Sequence, residues 1–309
     1  MKLTYKAGER DDGRKVYHVL RNDLRVSAEG VKRLKAADAV TVNGESVHMD
    51  RRLAPGETVI ADLALIESTP DFPPERGGLD VLFENDAYLA VNKPAGMLTH
   101  PSRGKFTGTL LNLASGYLMD TAGTPAIHAV NRLDRDTSGV VLLAKSAHAK
   151  SLAIDALRAD DSEKEYIALL CGELPEGRGV IDLPIARERE GFQKRVVSES
   201  GQRAVTEYET LGRAVLNGQT VTCVRLALKT GRTHQIRVHC SHLGCPVLGD
   251  ALYATQASCA LNIALGLFAH LLHARRLAFR DPLTGAALTL AAPVVRRDML
   301  NILEAIPHN

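Results

Sequence analysis

No charge of one sign dominates this chain. Its 309 residues carry 38 Lys and Arg against 36 Asp and Glu, a formal net charge of +2, with a pI near 8.3. Bulk charge is therefore excluded as the main source of any nucleic-acid affinity, which must come from basic residues clustered on one face. A disulfide framework is lacking too. The five cysteines (Cys171, Cys223, Cys240, Cys245 and Cys259) form an odd, irregularly spaced set. Such usage fits a reducing, intracellular compartment and a cytoplasmic protein. No apolar run approaches membrane-spanning length, since Leu261 to Leu272 is too short and contains His270. Met1 to Lys6 leads into charged residues without an apolar stretch, so no secretory signal is expected. Internal repeats and low-complexity tracts are missing. So are a phosphate-cradling glycine loop and a carboxylate cluster for metals, which leaves an aspartate-dependent hydrolase of small nucleosides or phosphoesters without support.

What is present is ordinary for a soluble globular protein: 45% hydrophobic and 24% charged residues, in a chain long enough for two domains. Residues 1–67 read as a small α+β unit. Ser27 is a suitable N-cap for a short helix in which Val31 and Leu34 pair on one side. Lys32, Arg33 and Lys35 surround that pair with positive charge. Val40 to Val42, an Asn43-Gly44 turn and Val47 to Met49 predict a hairpin. Pro55-Gly56 then precedes a strand at Thr58 to Ala61. Residues 68–78 are rich in Pro and Gly without apolar periodicity, which predicts a semi-rigid linker.

From residue 79 to 309 strand-like and helical stretches alternate. Val81 to Phe83 and Leu89 to Val91 predict an antiparallel pair. Ser146 is placed to cap a helix reaching about Arg158. Val221 to Lys229 alternates as a sheet strand. Thr233 is expected to cap a short helix with Ile236, Cys240 and Leu243 on one face and Gly244 at its end. Asp281 to Gly285 reads as a turn between two strands. The predicted fold class is α+β, with a mixed, largely antiparallel sheet.

The segment His128 to Lys145 is the most informative. It sets Asp134 between Arg132 and Arg135, just ahead of Thr137-Ser138-Gly139 and the buried-strand pattern Val140 to Ala144. Nearby positive charge favours an ionised carboxylate, held ready as a nucleophile or base near a polyanion. Taken alone, the string reads first as a structural Arg–Asp pair at a strand edge, since short motifs match by chance. Three further segments bear on the choice: Val91 to Pro101 (Val-Asn-Lys-Pro-Ala-Gly-Met-Leu-Thr-His-Pro), Glu163 to Gly172 (Glu-Lys-Glu-Tyr-Ile-Ala-Leu-Leu-Cys-Gly), and Thr230 to His239 (Thr-Gly-Arg-Thr-His-Gln-Ile-Arg-Val-His) followed by Leu248 to Tyr253. Together with Arg132-Leu-Asp134-x-x-Thr-Ser-Gly139 they resemble, in order, the motifs of the RluA-type pseudouridine synthases, over about residues 79 to 292. Where many members have His before Arg-Leu-Asp, this chain has Asn131, which cannot titrate.

The resemblance implies an enzyme that detaches uracil from C1′ of its ribose and rejoins it through C5, without metal or other cofactor. It implies Asp134 as the catalytic carboxylate, Arg232 as its arginine partner and Tyr166 stacked on the target base. Arg237 is expected to bind phosphate or pack. Arg132 is expected to fill the gap left by an extruded uridine or to touch phosphate, with Arg135 and Lys164 also at the RNA. Lys93-Pro94-x-Gly96 and Asp250 are expected to be architectural. Residues 1–67 more loosely resemble an S4-type RNA-binding domain, with Lys32, Arg33 and Lys35 on the RNA. His234, His239, His242, Cys240 and Cys245 invite a metal reading, but their spacing fits no common zinc pattern. The expected partner is RNA, large-subunit ribosomal before transfer RNA, with no membrane and no obligate protein partner. A non-catalytic RNA-binding or ribosome-assembly protein remains the alternative.

Overall fold

Ser27 has extended backbone angles, and its hydroxyl accepts a hydrogen bond from the Gly30 amide, so the first long helix starts where its cap predicts. The computed structural model describes residues 1–102, 104–174, 177–190 and 192–307. Over the first 66 residues it contains β1 (Lys2–Lys6), a helical turn α1 (Val16–His18), α2 (Ala28–Ala36), β2 (Val40–Val42), β3 (Glu45–Ser46) and β4 (Thr58–Asp62). The strands form an antiparallel sheet in the order β1-β4-β2-β3. Val40, Val42, Val59 and Ala61 are buried with Val31 and Leu34 of α2 in a core of their own. Asn43 and Gly44 both take positive φ (52° and 89°), as a two-residue hairpin turn requires. That turn pairs Val42 with Glu45 at once, so the second arm is Glu45–Ser46 and not Val47 to Met49. Val47 and Met49 pack against the core instead.

The rest of the chain adds β5 (Val81–Glu84), β6 (Tyr88–Lys93), α3 (Leu110–Ala122), β7 (His128–Ala129), β8 (Ser138–Ala144), α4 (Ala147–Ala156), β9 (Glu163–Cys171) and β10 (Arg178–Asp182). Then follow β11 (Ile185–Arg187), β12 (Arg195–Val197), β13 (Val205–Leu216), β14 (Gln219–Leu228), α5 (Gln235–His242), α6 (Gln256–Ala264), β15 (Leu272–Arg280), β16 (Ala287–Ala291) and α7 (Arg297–Glu304). The main sheet runs β10-β13-β14-β9-β15-β8-β6-β5, with β16 on β15 and β7 on β8. Only the β15–β8 pair is parallel among the described strands. This is the expected mixed, largely antiparallel α+β architecture. A separate hairpin, β11–β12, stands off the sheet.

Both faces of the central strands are covered, which explains the unbroken apolar run in β8. Leu89, Val91, Val141 and Leu143 face Leu110, Leu111, Ala114 and Leu118 around α3. The alternate residues Tyr88, Ala90, Val140, Leu142 and Ala144 face Ala149, Ala153 and Leu157 at α4. Full burial of one such leucine stabilises by roughly 1.5–3 kcal/mol, so a one-residue slip of β8 would be costly. Farther along the sheet, α5 covers one face of β9 and β14, and α6 and α7 cover the other. No described helix is long and apolar enough to cross a membrane.

Residues 68–78 are not a free spacer. Phe72 is buried, Pro73 and Glu75 exchange hydrogen bonds with Asn112, and the Glu75 carboxylate accepts from the Gly108 amide just before α3. Composition alone misses these anchors because each depends on a helix more than 30 positions away.

Gly139 opens β8 at φ +114°, and a Cβ there would lie 2.1 Å from the Ala274 carbonyl oxygen. This close approach joins β8 to β15 directly behind the Asp134 loop. Gly139→Ala is expected to destabilise the fold by about 2–5 kcal/mol through backbone strain and overpacking. A thermal melt reads the effect; an unchanged midpoint would show that the two strands separate at little cost.

Candidate active site

Asp134 lies in the loop between β7 and β8, and three ties hold that loop. Lys93, fully buried at the end of β6, donates to the carbonyls of Pro94, Met97 and Arg135 at 2.8–3.0 Å. Burial pushes its ammonium down to about 8, against the opposing pull of Asp136 and Asp134. Thr99 bonds both the amide and the carbonyl of Leu133. On the far side the Thr137 hydroxyl meets His270 Nε2 at 2.7 Å. Burial first, then Arg237, pushes His270 down to about 4, so it is neutral at physiological pH. Asn131 is structural: its carbonyl accepts from the Leu142 amide and its NH2 reaches the Val140 carbonyl.

The guanidinium that meets Asp134 comes from α5. Arg237 Nη1 lies 2.9 Å from Asp134 Oδ2. Its Nε and Nη2 grip both oxygens of Asp250, at 2.6 and 2.9 Å. Asp250 is almost wholly buried, and its Oδ1 also accepts from the amides of Leu252 and Tyr253. Burial works against both charges, yet Asp250 and then Asp134 raise Arg237 above its ordinary value. The hydrogen bond and charge of Arg237 likewise bring Asp250 below the usual carboxylate range. The Tyr253 ring stacks under the guanidinium, 5.0 Å away. A two-pronged grip of this kind fixes the orientation of Arg237 before it touches Asp134.

The expectation for Arg232 is thereby corrected. Its Nε donates to the Arg203 carbonyl at 3.1 Å, and the side chain is exposed on the approach to α5. Arg232 and Arg237 share one heptapeptide, but only the second lies on the helix face turned toward Asp134. The start of α5 explains why. Thr233 does not cap it; His234 is the N-cap, in the left-handed region at φ 58°. Gln235 braces the turn, accepting from the Arg232 amide and Thr230 hydroxyl and donating to Val205 and Thr206. Ile236 and Cys240 are buried as expected, whereas Leu243 is exposed.

His234 also faces the carboxylate, with Nε2 3.8 Å from Asp134 Oδ2. Its Nδ1 is 2.9 Å from the Tyr253 hydroxyl, which accepts from the Arg195 amide. The Tyr253 hydroxyl thus ties the imidazole to the Arg195 backbone and fixes the ring with its Nε2 toward Asp134. Sequence reasoning missed His234 and Tyr253 as neighbours of the carboxylate, and gave Asp250 only an architectural part. The tight packing of polar residues in Thr230 to His239 and Leu248 to Tyr253 was the signal available.

Tyr166 reaches the same place from β9. It pairs with Ala274, the partner of Gly139, so Tyr166 and the start of β8 are two strands apart. Burial, then the Asp134 charge, raises its phenol, which makes it a poor base and leaves its ring as an apolar surface. Lys164 is corrected: its half-buried ammonium donates to the Leu157 carbonyl at 2.7 Å, at the end of α4. Arg132 is exposed and makes no ion pair or hydrogen bond among the described residues. Arg135 is exposed and reaches the Gly96 carbonyl and Asp136. No group of three or more His, Cys, Asp or Glu side chains among the described residues is arranged to hold a metal. A half-exposed carboxylate (27%) backed by a buried guanidinium, an imidazole and an aromatic ring suits general-base or nucleophilic chemistry.

Residues 87–242, from β6 through α5, match the family described as RNA pseudouridylate synthase. The chain is 35% identical to "Uncharacterized RNA pseudouridine synthase YhcT" of Bacillus subtilis (strain 168), over 95% of this chain and 94% of that protein. It is also 35% identical to "Ribosomal large subunit pseudouridine synthase D" of Xanthomonas campestris pv. campestris, over 88% of this chain and 82% of that one. Among solved structures, human RNA pseudouridylate synthase domain containing 4 superposes with a TM-score of 0.59 at 26% identity, covering 74% of this chain and 95% of its own. Motifs, fold and relatives converge: this chain belongs to the RluA-type RNA pseudouridine synthase family, a family of isomerases.

Proposed function

We propose that the chain isomerises a uridine of large-subunit ribosomal RNA, with Asp134 as the catalytic carboxylate. The contact that carries this reading is the 2.9 Å ion pair between Asp134 and Arg237, itself anchored on buried Asp250. Isomerisation breaks the C1′–N1 bond, forms C1′–C5, removes a proton from C5 and returns one to N1. Asp134 either attacks C1′ or removes a proton from C2′; both routes use one carboxylate beside the ribose and need no cofactor. Arg237 offsets the carboxylate charge as the site closes over the base. Tyr166 offers its ring to the everted uracil, a stacking contact worth about 1–3 kcal/mol. The exposed Arg132 and Arg135 lie where the RNA backbone or the vacated stack meets the loop.

Residues 1–67 are proposed as the S4-like RNA-binding unit. Lys32 and Lys35 are exposed on α2 with Arg33 between them. The pairing of Lys32 with Glu29, at 3.8 Å on the surface, holds it only weakly. Phosphate contacts from these residues add affinity without reading sequence.

The ribosomal assignment is supported by several relatives named "Ribosomal large subunit pseudouridine synthase D". Pseudouridine mapping in cells with and without the gene tests it. One or more large-subunit sites are expected to disappear with the gene; a loss confined to transfer RNA would reassign the substrate.

A further inference from the structure

Beside the carboxylate opens a groove of about 360 Å³, bordered by the β11–β12 hairpin and the approach to α5. Among the described residues its walls include Arg187, Arg195 and Arg232 and no acidic side chain. Two of these arginines stand directly opposite each other, since Arg187 pairs with Arg195 in the hairpin register. Like charges facing across a strand pair repel, and hairpins ordinarily avoid the arrangement. None of the three has a carboxylate partner among the described residues. The Arg187 side chain makes no ion pair or hydrogen bond among them, and Arg195 Nε is buried with no acceptor there. Arg232 uses only its Nε, on the Arg203 carbonyl. Neighbouring cations are treated differently: Arg203 is paired with Asp182 and Lys194 with Glu188, each at 3.3 Å. Positive charge is thus left uncompensated at one place on this face, where an anion would balance it.

The groove adjoins the carboxylate. Thr233 lines it, and the next residue, His234, faces Asp134. From the other wall, the Arg195 amide leads through the Tyr253 hydroxyl to His234 Nδ1. The groove thus runs up to the residue that faces Asp134, and the anion that RNA would bring there is a backbone phosphate. Guanidinium forks match the paired non-bridging oxygens of a phosphodiester.

We propose that Arg187, Arg195 and Arg232 form a phosphate-binding groove for the RNA strand flanking the modified uridine, gripping backbone rather than base. This inference rests on the reading of Asp134 as acting on a uridine in RNA. Filling the groove relieves the repulsion across the hairpin and seats the strand so that one nucleotide reaches the carboxylate.

The test compares full-length wild type, Arg187→Gln/Arg195→Gln and Arg232→Gln for binding to one uridine-containing ribosomal RNA fragment over a range of salt. Arg178→Gln, on β10 and outside the groove lining, controls for loss of one surface charge. Removing facing like charges should leave the melting midpoint of the double variant unchanged or raised. The double variant is expected to bind at least tenfold more weakly near 0.1 M salt. The slope of log affinity against log salt should shrink by about 0.7–0.9 for each phosphate that is no longer neutralised. Arg232→Gln, on a separate element, should shrink the slope as well, and Arg178→Gln should not. Slopes equal to wild type in both groove variants would overturn the proposal, as would an equal loss in the control. Tritium release by wild type from RNA labelled at uridine C5 separates the two levels. If it is absent, the reading of Asp134 fails; if it is present with unchanged slopes, only the groove fails.

Discussion

Asp134→Asn is expected to abolish pseudouridine formation, lowering single-turnover tritium release from C5-labelled uridine RNA by about 10⁴-fold or more, as loss of a nucleophile does elsewhere. Asn keeps the size and one oxygen of Asp but can neither attack as a carboxylate nor accept a proton at neutral pH. RNA affinity should stay within about tenfold of wild type, because phosphate contacts supply most of it. Folding should survive as well. Arg237 loses one partner but keeps both of its bonds to Asp250, and residue 134 is itself partly open to solvent. Retained turnover together with abolished binding would contradict the assignment and leave Asp134 as a surface contact for RNA.

Asp250→Ala should produce the largest loss of stability among single changes near the site. It would leave the Arg237 guanidinium, 9% exposed, without its two-pronged partner. Breaking a buried pair from one side costs about 3–5 kcal/mol, and in a chain of this size a loss on that scale lowers the melting midpoint by on the order of 10 °C. Activity should fall too, since the remaining arginine is no longer oriented toward Asp134. A second substitution separates the two effects. Arg237→Met added to Asp250→Ala removes the stranded charge and should recover much of the stability, because apolar replacement of a buried pair is often neutral. The double variant should nevertheless remain inactive. Recovery of tritium release would show that the pair serves folding alone.

The same ion pair explains why Arg232 was the wrong partner to infer for Asp134. Both arginines lie within Gly231 to Arg237, and nothing local distinguishes them. Which one points at the carboxylate depends on the left-handed turn at His234 and the bracing of Gln235 by Val205 and Thr206, residues from another strand. Lys164 was misplaced for a related reason. It lies two residues from Tyr166 on β9, but its long side chain ends on the Leu157 carbonyl at the end of α4, a contact between distant elements that the motif does not encode.

The sequence by itself determined what short-range chemistry controls. The caps at Ser27 and Ser146, the Asn43-Gly44 and Asp281 to Gly285 turns, the two-sided burial of β8 and the α+β class all follow from preferences acting over a few residues. Its motifs likewise picked out the loop that carries Asp134. Only the tertiary structure decided which guanidinium that carboxylate meets, since Arg237 is 103 positions away. The same holds for the strapping of residues 68–78 onto α3 and for the facing arginines of the β11–β12 groove. Contacts between distant segments are set by how whole faces pack and which buried charges must find partners, and no local preference encodes that outcome.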